Sequence, residues 1–239
     1  MSLQDTQNHW NQLGKDDPFW AVLTDPTKQG GRWDPSEFFQ TGVDEIATAM
    51  KEVARLKVSI HRRNALDFGC GVGRLSQALA THFDEVHGVD ISPSMVDHAN
   101  RLNQHAGKCH YHLNASSNLK LFPDDQFDFV YSVIALQHIE TRYQKDYLAE
   151  FFRVLKPNGV AVFQIICARG WRRFLPAVGV SAYRKIRHRG NAFISMFGVP
   201  EAEMQRLLTE GGMKTLDIRR SVDDTARWSC LRYFAQKAS

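Results

Sequence analysis

The sequence is short of cysteine and has no long apolar run, and both shortages narrow the class of protein. Four cysteines are scattered over 239 residues without a Cys-x-x-Cys pair. That spacing fits neither a disulfide framework nor a zinc site, and it favours a reducing cytoplasm. No run approaches the roughly 18 apolar residues of a membrane-spanning helix, and the polar first residues lack the layout of a signal peptide. We therefore expect a cytoplasmic protein without a transmembrane segment.

Acidic residues are missing between Glu150 and Glu201, where arginine and lysine recur around an apolar middle. The net charge of the whole chain is only +4, so this positive charge is local. Three interpretations stay open for it: recognition of an anionic substrate, contact with an anionic membrane surface or nucleic acid, and a solvated basic face. Nucleic-acid binding normally brings a recognisable module or a more basic domain, and the sequence has neither. We expect no nucleic-acid partner.

From residue 64 onward, stretches typical of strands alternate with stretches typical of helices. The predicted strands are Asn64–Phe68, Val86–Val89, Cys109–Leu113, Phe127–Val133, Val160–Ile166, Met213–Arg219 and Trp228–Gln236. The predicted helices are Arg74–Phe83, Pro93–Gln104, Tyr143–Val154 and Pro200–Glu210. Alternation of this kind is the signature of a parallel sheet covered by helices. We expect an α/β fold with a doubly wound, mostly parallel seven-stranded sheet, helices on both faces and an antiparallel edge strand.

The start of the chain is rich in tryptophan and phenylalanine but is interrupted by turn signals at Asp25-Pro26, Gly30-Gly31 and Asp34-Pro35. This composition predicts a cap of short helices over residues 1–60, followed by the main domain over residues 61–239. Apolar residues at helical spacing predict one longer amphipathic helix from Phe38 to Val58.

A glycine-rich stretch, Asp67-Phe-Gly-Cys-Gly-Val-Gly73, lies between the first predicted strand and the first helix after it. Glycines at alternate positions let backbone amides approach a ligand closely, and the helix N-terminus adds positive potential. The spacing Gly-x-Gly-x-Gly differs from the Gly-x-Gly-x-x-Gly of dinucleotide sites, and Asp67 would face the place of a pyrophosphate. An acid at this position suits a cationic ligand without phosphates.

A second acid, Asp90, ends the next predicted strand. It follows the turn by about twenty residues, where a carboxylate accepts hydrogen bonds from both hydroxyls of a ribose. A nucleoside cofactor without phosphates satisfies both observations.

Two segments, Leu66-Asp-Phe-Gly-Cys-Gly-Val-Gly73 and Val89-Asp-Ile-Ser-Pro-Ser-Met95, resemble the first two motifs of the class I S-adenosylmethionine-dependent methyltransferases. Three later segments resemble further motifs of that family in the same order: Leu113–Ser116, Phe127–Ser132 and Leu155–Gly159. The resemblance implies a Rossmann-like fold, S-adenosyl-L-methionine as methyl donor and S-adenosyl-L-homocysteine as product.

On this resemblance, each motif is expected to contribute contacts to the cofactor. Those of the first motif, around the methionine half, are Asp67, Gly69, Cys70, Gly71, Gly73 and Arg74. The resemblance places Asp90 at the ribose and Ile91 and Met95 at the adenine face. The other expected contacts are Asn114, Ala115, Ser132, Val133 and, from the cap, Trp33. Packing in the core explains Met95 equally well, and packing of the cap explains Trp33 equally well.

Asn114 stands where similar methyltransferases usually carry an acid. Its amide oxygen still accepts a hydrogen bond from an adenine amino group. We therefore expect this contact to be altered and not lost.

Gln137 and His138 follow the fourth predicted strand, at the sheet edge where open α/β sheets bind ligands. Transfer of a methyl group to a hydroxyl needs a proton acceptor, and His138 is the candidate general base. A structural histidine is the alternative. The other histidines show no convincing spacing for metal ligands, so no metal is expected.

In similar methyltransferases the segment after the fifth strand forms part of the substrate pocket. Here that segment is the insertion over residues 168–199. The substrate contacts expected from the two regions are Gln137, His138, Arg169, Arg172, Arg173 and Tyr183.

These observations favour a methyltransferase that acts on an oxygen or nitrogen of a small or carrier-linked, anionic metabolite. A nicotinamide-dependent oxidoreductase is the first alternative, and the glycine spacing and Asp67 disfavour it. A non-catalytic module that keeps the cofactor-binding fold is the second alternative.

Overall fold

The computed structural model describes residues 2–168, 196–220 and 228–239. The strands are β1 (Asn64–Phe68), β2 (Glu85–Asp90), β3 (Cys109–Leu113), β4 (Phe127–Ser132), β5 (Leu155–Ala168), β6 (Met213–Arg220) and β7 (Trp228–Lys237). They form one sheet in the order β3-β2-β1-β4-β5-β7-β6. The first five run parallel to one another, and β7 runs antiparallel to both of its neighbours.

Helices flank the sheet, and further ones precede it in the chain. They are α1 (Leu3–Asp16), α2 (Pro18–Val22), α3 (Pro35–Arg55), α4 (Arg74–Leu79), α5 (Pro93–Arg101), α6 (Thr141–Val154) and α7 (Glu201–Glu210). Two 3₁₀ turns cover Pro26–Lys28 and Leu136–His138. Within the described ranges, no helix is both long and apolar enough to cross a bilayer.

The predicted α/β architecture is confirmed, and the differences lie at element ends. The predicted bounds of β1 and β3 match the structure, whereas α5 ends at Arg101 and not at Gln104. The cause is Asn103, whose side-chain oxygen accepts a hydrogen bond from the amide of His105 at 2.9 Å. Such local bonds compete with the helical pattern and end it early.

Strand β5 begins earlier than the predicted Val160. Its first residue, Leu155, already pairs with Phe127, and the register then shifts before Val160 pairs with Phe129. Asn158 has a φ of 65° inside this irregular stretch. The Pro-Asn-Gly turn therefore forms a bulge within the strand and does not precede it.

The antiparallel pair closes one edge of the sheet, as the sequence predicts. The last strand in the chain, β7, lies between β5 and β6, so β6 is the outermost strand. Strands β5 and β7 pair from Val160–Gln236 to Ala168–Trp228.

The order of the strands reverses between β1 and β4, which are direct neighbours although β2 and β3 come between them in the chain. In open α/β sheets the crevice at such a switch point, outside the carboxyl ends of the strands, is where ligands bind. The glycine-rich turn follows β1 and Asp90 ends β2, so the topology brings them to this crevice.

The cap contacts the sheet through α3. Glu45 accepts a hydrogen bond from the hydroxyl of Tyr131 at 2.6 Å and pairs with Arg232 at 2.8 Å. Arg55 adds an ion pair with Asp217 at 2.9 Å. These bonds reach β4, β7 and β6, so α3 is a fixed part of the core. The predicted boundary between cap and main domain at residue 60 stays a prediction.

Candidate active site

Positive backbone φ angles shape the glycine-rich turn between β1 and α4. Gly69, Gly71 and Gly73 have φ values of 76°, 53° and 85°, which residues with a side chain rarely adopt. A Cβ at Gly69 would also overlap the Cβ of Ala135, and one at Gly71 would lie 2.7 Å from Cγ2 of Val22. Both the backbone shape and the close approach of neighbours therefore require glycine here.

Four backbone amides of this turn are bonded within the protein. Those of Gly69 and Cys70 donate to the carbonyl oxygen of Val89 at 2.8 and 3.0 Å, and that of Gly73 donates to the carbonyl oxygen of Cys70 at 2.9 Å. The amide of Gly71 donates to Oδ2 of Asp90 at 2.9 Å. A pyrophosphate binds such turns through free amides, so these four offer it little. The turn suits a ligand without phosphates.

Asp90 is held at the carboxyl end of β2 by two backbone amides. Besides the bond from Gly71, its Oδ1 accepts a hydrogen bond from the amide of Ser92 at 2.8 Å. Burial raises the pKa of Asp90, and these amide bonds oppose the rise. Each carboxylate oxygen has a further lone pair, so Asp90 keeps acceptor capacity for ligand hydroxyls.

Asp67 lies behind the glycine-rich turn and not in the wall of the crevice. It is almost fully buried, and its Oδ2 accepts a hydrogen bond from the hydroxyl of Ser76 at 2.6 Å. Burial raises the pKa of Asp67 to about 6, although the bond from Ser76 and the nearby Arg74 both lower it. The predicted contact of Asp67 with the cofactor stays a prediction.

The buried charge of Asp67 should cost stability at neutral pH, so we expect Asp67→Asn to raise the free energy of unfolding at pH 8. The unfolded carboxyl ionises near 3.8 and the folded one near pH 6. The folded state thus binds more protons in that window, and the free energy of unfolding of the natural protein falls as pH rises from about 4 to about 6. Two pKa units correspond to about 3 kcal/mol. The asparagine accepts a weaker hydrogen bond from Ser76 than the carboxylate does, so the expected net gain in the free energy of unfolding is about 2 kcal/mol.

Urea denaturation of both proteins at pH 4 and pH 8 measures this effect. The free energy of unfolding of Asp67→Asn should exceed that of the natural protein by little at pH 4 and by nearly the whole expected gain at pH 8. The variant Asp97→Asn, at an exposed position of α5, controls for the loss of a charge. Equal gains from Asp67→Asn at both pH values would contradict the prediction.

A cavity of about 790 Å³, including the space at its mouth, opens at the switch point. Its lining is mostly apolar with a few polar groups, which is typical of sites that hold small molecules and cofactors. The residues of its lining that were predicted from sequence are Gly69, Gly71, Asp90, Ile91, Met95, Asn114 and Val133. The structure thus brings the glycine-rich turn, Asp90 and the residues predicted to face the adenine to one cavity.

Other predicted contacts lie beside the cavity lining. Arg74 points under α3, where its guanidinium donates to the hydroxyl of Thr41 at 3.2 Å. Ser132 is fully buried and donates to the carbonyl oxygen of Phe68 at 3.1 Å. The remaining ones are Asp67, Cys70, Gly73 and the exposed Ala115. Their roles as cofactor contacts stay predictions.

Trp33 also lies outside the lining of the cavity, among the aromatic residues of the cap. Its ring packs edge-on against Phe38, with centroids 5.6 Å apart, and its Nε1 donates to the carbonyl oxygen of Leu23 at 3.3 Å. Ordinary packing accounts for this position, while the predicted contact with the cofactor is not tested by it.

Asn114 is buried in the cavity wall with a fixed side chain. Its Nδ2 donates to the carbonyl oxygen of Asn118 at 2.7 Å, and its Oδ1 accepts from the amide of Ser116 at 3.2 Å. The first bond fixes the orientation of the amide group. The second is long and leaves one lone pair of Oδ1 for an adenine amino group.

The first helix supplies a wall of the cavity that the sequence reasoning missed. Leu3, Thr6 and Trp10 of α1 line it, together with Ala21 and Val22 of α2. The spacing of the three α1 residues is that of one helix face. This spacing could have predicted the helix face from the sequence, but most other residues of the segment are polar and the pattern is weak.

Residues around the end of β4 form the opposite wall. The lining residues here that were not predicted are Phe68, Ile134, Ala135, Ile139 and Tyr147. Ile134 has a φ of 65°, an unusual value for a β-branched residue. Strained backbone of this kind clusters at functional sites because the surrounding structure must hold it in place.

His138 lies next to the cavity and outside its lining. It is 8% exposed, and its ring centroid is 5.3 Å from that of Trp10. The amide nitrogen of Gln137 is 3.3 Å from Nε2 of His138. The nitrogen of a side-chain amide only donates, so this contact is a hydrogen bond when Nε2 of the neutral ring is the acceptor. Nε2 then takes up a proton only after the amide of Gln137 moves away from it, because an imidazole nitrogen has a single lone pair.

Gln137 is itself held from two directions. Its side-chain oxygen is 3.5 Å from Nε2 of Gln164, and its carbonyl oxygen accepts from the amide of Phe197 at 2.7 Å. The four other predicted substrate contacts, Arg169, Arg172, Arg173 and Tyr183, lie outside the described residues.

Residues 65–159 match the model of a family described as a methyltransferase domain. Over 132 residues the chain is 34% identical to a malonyl-[acyl-carrier protein] O-methyltransferase of Halorhodospira halophila, covering 50% of this chain and 42% of that protein. It is 26% identical over 187 residues to a ubiquinone biosynthesis O-methyltransferase of Thiobacillus denitrificans, covering 78% of this chain and 79% of that protein.

Two further comparisons bear on length and fold. A 2-methyl-6-phytyl-1,4-hydroquinone methyltransferase of Synechocystis is 30% identical over 165 residues, and the chain spans 50% of it. The chain thus spans about half the length of two of these curated relatives. A crystal structure of magnesium protoporphyrin IX methyltransferase from Synechocystis with bound SAH superposes with a TM-score of 0.66 at 19% identity, covering 99% of each chain. This likeness concerns the fold.

Proposed function

The chain belongs to the class I S-adenosylmethionine-dependent methyltransferases, and from that premise we propose that it methylates an oxygen or nitrogen of a small or carrier-linked, anionic metabolite. The observation that carries the proposal is the cavity at the switch point, which combines the glycine turn, Asp90 and an apolar wall. Two curated relatives are named as O-methyltransferases, so oxygen is the favoured acceptor atom.

The residues present fit S-adenosylmethionine. The amides of Gly69, Cys70 and Gly71 are already bonded within the protein, so the turn offers few free donors to an anion, which suits a phosphate-free methionine moiety. Asp90 would hold the ribose hydroxyls, Ile91 and Met95 would cover the adenine, and Asn114 would accept from its amino group. When bound, S-adenosylmethionine supplies a methyl group on a positively charged sulfur.

The tasks left to the chain are positioning, exclusion of water and removal of a proton. Apolar residues of α1, α2 and the β4 end line the cavity, and a bound cofactor and acceptor would displace water from this part of it. We assign His138 as the general base, with the side-chain amide of Gln137 holding the ring until the acceptor hydroxyl takes its place at Nε2. Gln137 acts by positioning the ring and by contacting the acceptor.

The acceptor's anionic part is assigned to the basic insertion. Arg169, Arg172, Arg173 and Tyr183 are the proposed contacts, because cations between Glu150 and Glu201 have no acidic neighbours in sequence. The malonyl-[acyl-carrier protein] relative supports a carrier-linked acceptor and the ubiquinone relative supports a small one. We place the reaction in the cytoplasm on the cysteine pattern.

Calorimetric titration with S-adenosylhomocysteine, with NAD as control ligand, tests the proposal. We expect micromolar affinity for S-adenosylhomocysteine and no measurable binding of NAD, because the turn offers a pyrophosphate so few free amides. Binding of NAD alone would overturn the proposal in favour of an oxidoreductase. Cofactor binding with no methyl transfer to any acceptor in a screen of anionic metabolites would identify a non-catalytic module.

A further inference from the structure

The side chain of Asn114 differs in one chemical respect from the acid that similar methyltransferases usually carry at this place. An ionised carboxylate only accepts hydrogen bonds, whereas a side-chain amide accepts through its oxygen and donates through its nitrogen. An asparagine whose amide turns over is therefore able to bond either an amino group or an oxo group of a purine. Selection between the two requires that the orientation of the amide be fixed.

Two backbone groups of the loop after β3 fix that orientation. The carbonyl oxygen of Asn118 accepts from Nδ2 of Asn114 at 2.7 Å, and the amide of Ser116 donates to Oδ1 at 3.2 Å. Turning the amide over would set its oxygen against the carbonyl oxygen of Asn118 and its nitrogen against the amide of Ser116. Both bonds would then be lost at a side chain that is only 8% exposed, which costs free energy. Oδ1 therefore stays an acceptor on the cavity side of the loop.

The backbone of this loop is itself tied to neighbouring elements. At its start, the amide of Asn114 donates to the carbonyl oxygen of Asp90 at 2.9 Å. In its middle, the carbonyl oxygen of Ser116 accepts from the hydroxyl of Tyr147 on α6 at 2.5 Å. The second bond holds the same residue whose amide donates to Asn114. The orientation of the Asn114 amide thus depends on a contact from α6.

Tyr147 is well placed to act as a fixed point for the loop. It is 2% exposed and lines the cavity, and its ring packs against that of Phe68 with centroids 4.6 Å apart. Burial raises the pKa of the Tyr147 hydroxyl, so this group keeps its proton at neutral pH and remains a donor to Ser116. Packing holds the ring, and the hydroxyl holds the loop.

We propose that Tyr147 is a positioning residue for recognition of the cofactor's base. Through Ser116 it keeps the amide of Asn114 in the accepting orientation, so that the site prefers adenine, with its amino group, to hypoxanthine, with an oxo group at the same carbon. The inference rests on the proposed function, from which it takes the contact between Asn114 and the amino group, and deepens it. An amino group donates to Oδ1. An oxo group would set two acceptor oxygens against each other in a buried wall.

Calorimetric titration with S-adenosyl-L-homocysteine and S-inosyl-L-homocysteine tests the preference. The two ligands share the ribose and the homocysteine and differ in the purine edge that would face Asn114. We expect S-adenosylhomocysteine to bind at least about tenfold more tightly, because the inosine ligand loses one hydrogen bond and leaves an acceptor unpaired. Equal affinities of the natural protein for the two ligands would overturn the proposal.

Tyr147→Phe tests the residue, because it keeps the ring against Phe68 and removes only the hydroxyl. The freed loop should let the amide of Asn114 turn over. We expect S-adenosylhomocysteine to bind about fivefold more weakly and the ratio of the two affinities to fall by at least about threefold. A role in packing alone would change both affinities alike and leave their ratio unchanged. Thermal unfolding without ligand shows that the variant is folded.

Tyr143→Phe is the matched control, since it removes a hydroxyl one helical turn earlier on α6 from a ring that does not line the cavity. It should keep both affinities.

The variant Asn114→Asp provides a second, independent arm. A carboxylate has no amide nitrogen to present, so the preference for S-adenosylhomocysteine should persist when Tyr147→Phe is added to it. Its absolute affinity should fall, because one carboxylate oxygen replaces the nitrogen that now donates to Asn118. An equal loss of the ratio from Tyr147→Phe in both backgrounds would contradict a role through the Asn114 amide.

The outcomes separate this inference from the proposed function. If S-adenosylhomocysteine does not bind, both fall. If it binds and S-inosylhomocysteine binds as tightly, only the preference for adenine is overturned. A high ratio that stays unchanged in folded Tyr147→Phe overturns the role of Tyr147.

Discussion

Asp90→Ala should weaken binding of S-adenosylhomocysteine by at least about a hundredfold. The substitution removes the charged acceptor proposed for the ribose hydroxyls, and hydrogen bonds to charged groups contribute about 1.5–3 kcal/mol each. It also leaves the amides of Gly71 and Ser92 without the carboxylate that now accepts from them. The turn therefore loses part of its shape along with the ligand contact. Calorimetric titration at pH 7.5 measures the change.

Two variants make this experiment specific. Asp90→Asn keeps one oxygen acceptor and loses the charge, so its affinity should lie between those of the natural protein and the alanine variant. Asp97→Ala removes an exposed acid of α5 and should bind normally. If Asp90→Ala binds S-adenosylhomocysteine as the natural protein does, the assignment of Asp90 to the ribose is wrong.

Replacing His138 with glutamine should lower kcat by about a hundredfold and leave the affinity for S-adenosylhomocysteine nearly unchanged. Loss of a positioned base typically costs a factor of this size or more. The side chain lies outside the cavity lining, so the cofactor site stays intact. Glutamine keeps polar atoms near Gln137, which preserves the local packing better than alanine. Initial rates at saturating S-adenosylmethionine with the acceptor found by screening measure the effect.

His61→Gln is the matched control, because His61 is exposed and lines a different groove beside Asp128. It should retain full activity. Normal kcat in folded His138→Gln would instead assign His138 the structural role that the sequence left open.

Much of the site was predictable because it depends on strand order and local backbone chemistry. Gly69 and Gly71 follow one strand, and Asp90 ends its neighbour, so a parallel sheet places them at the same edge. The alternation of elements sufficed to predict that sheet. The positive φ values also follow from sequence, because three glycines at alternate positions are rarely needed for anything else.

Other parts were not predictable because they depend on long-range packing. Gly73 and Arg74 share the motif with Gly71, yet the start of α4 turns Arg74 beneath α3. The motif does not specify that direction. Likewise, Trp10 and Trp33 are both cap tryptophans, and the docking of α1 on the start of α5 places Trp10 at the cavity. No local sequence pattern predicts such docking.

The internally bonded turn also decides which molecules the site rejects. ATP and NAD are abundant nucleotides in cells, and each carries the adenosine that Asp90, Met95 and Asn114 are proposed to recognise. What separates them from S-adenosylmethionine is a chain of phosphates, and amides already engaged by Val89 and Asp90 give that chain nothing to replace its water. Two buried carboxyls behind and beside the turn, Asp67 and Asp90, add repulsion whenever they are ionised. The fold of the glycine-rich turn is thus itself expected to reject ATP and NAD, and no further side chain is needed for this selectivity.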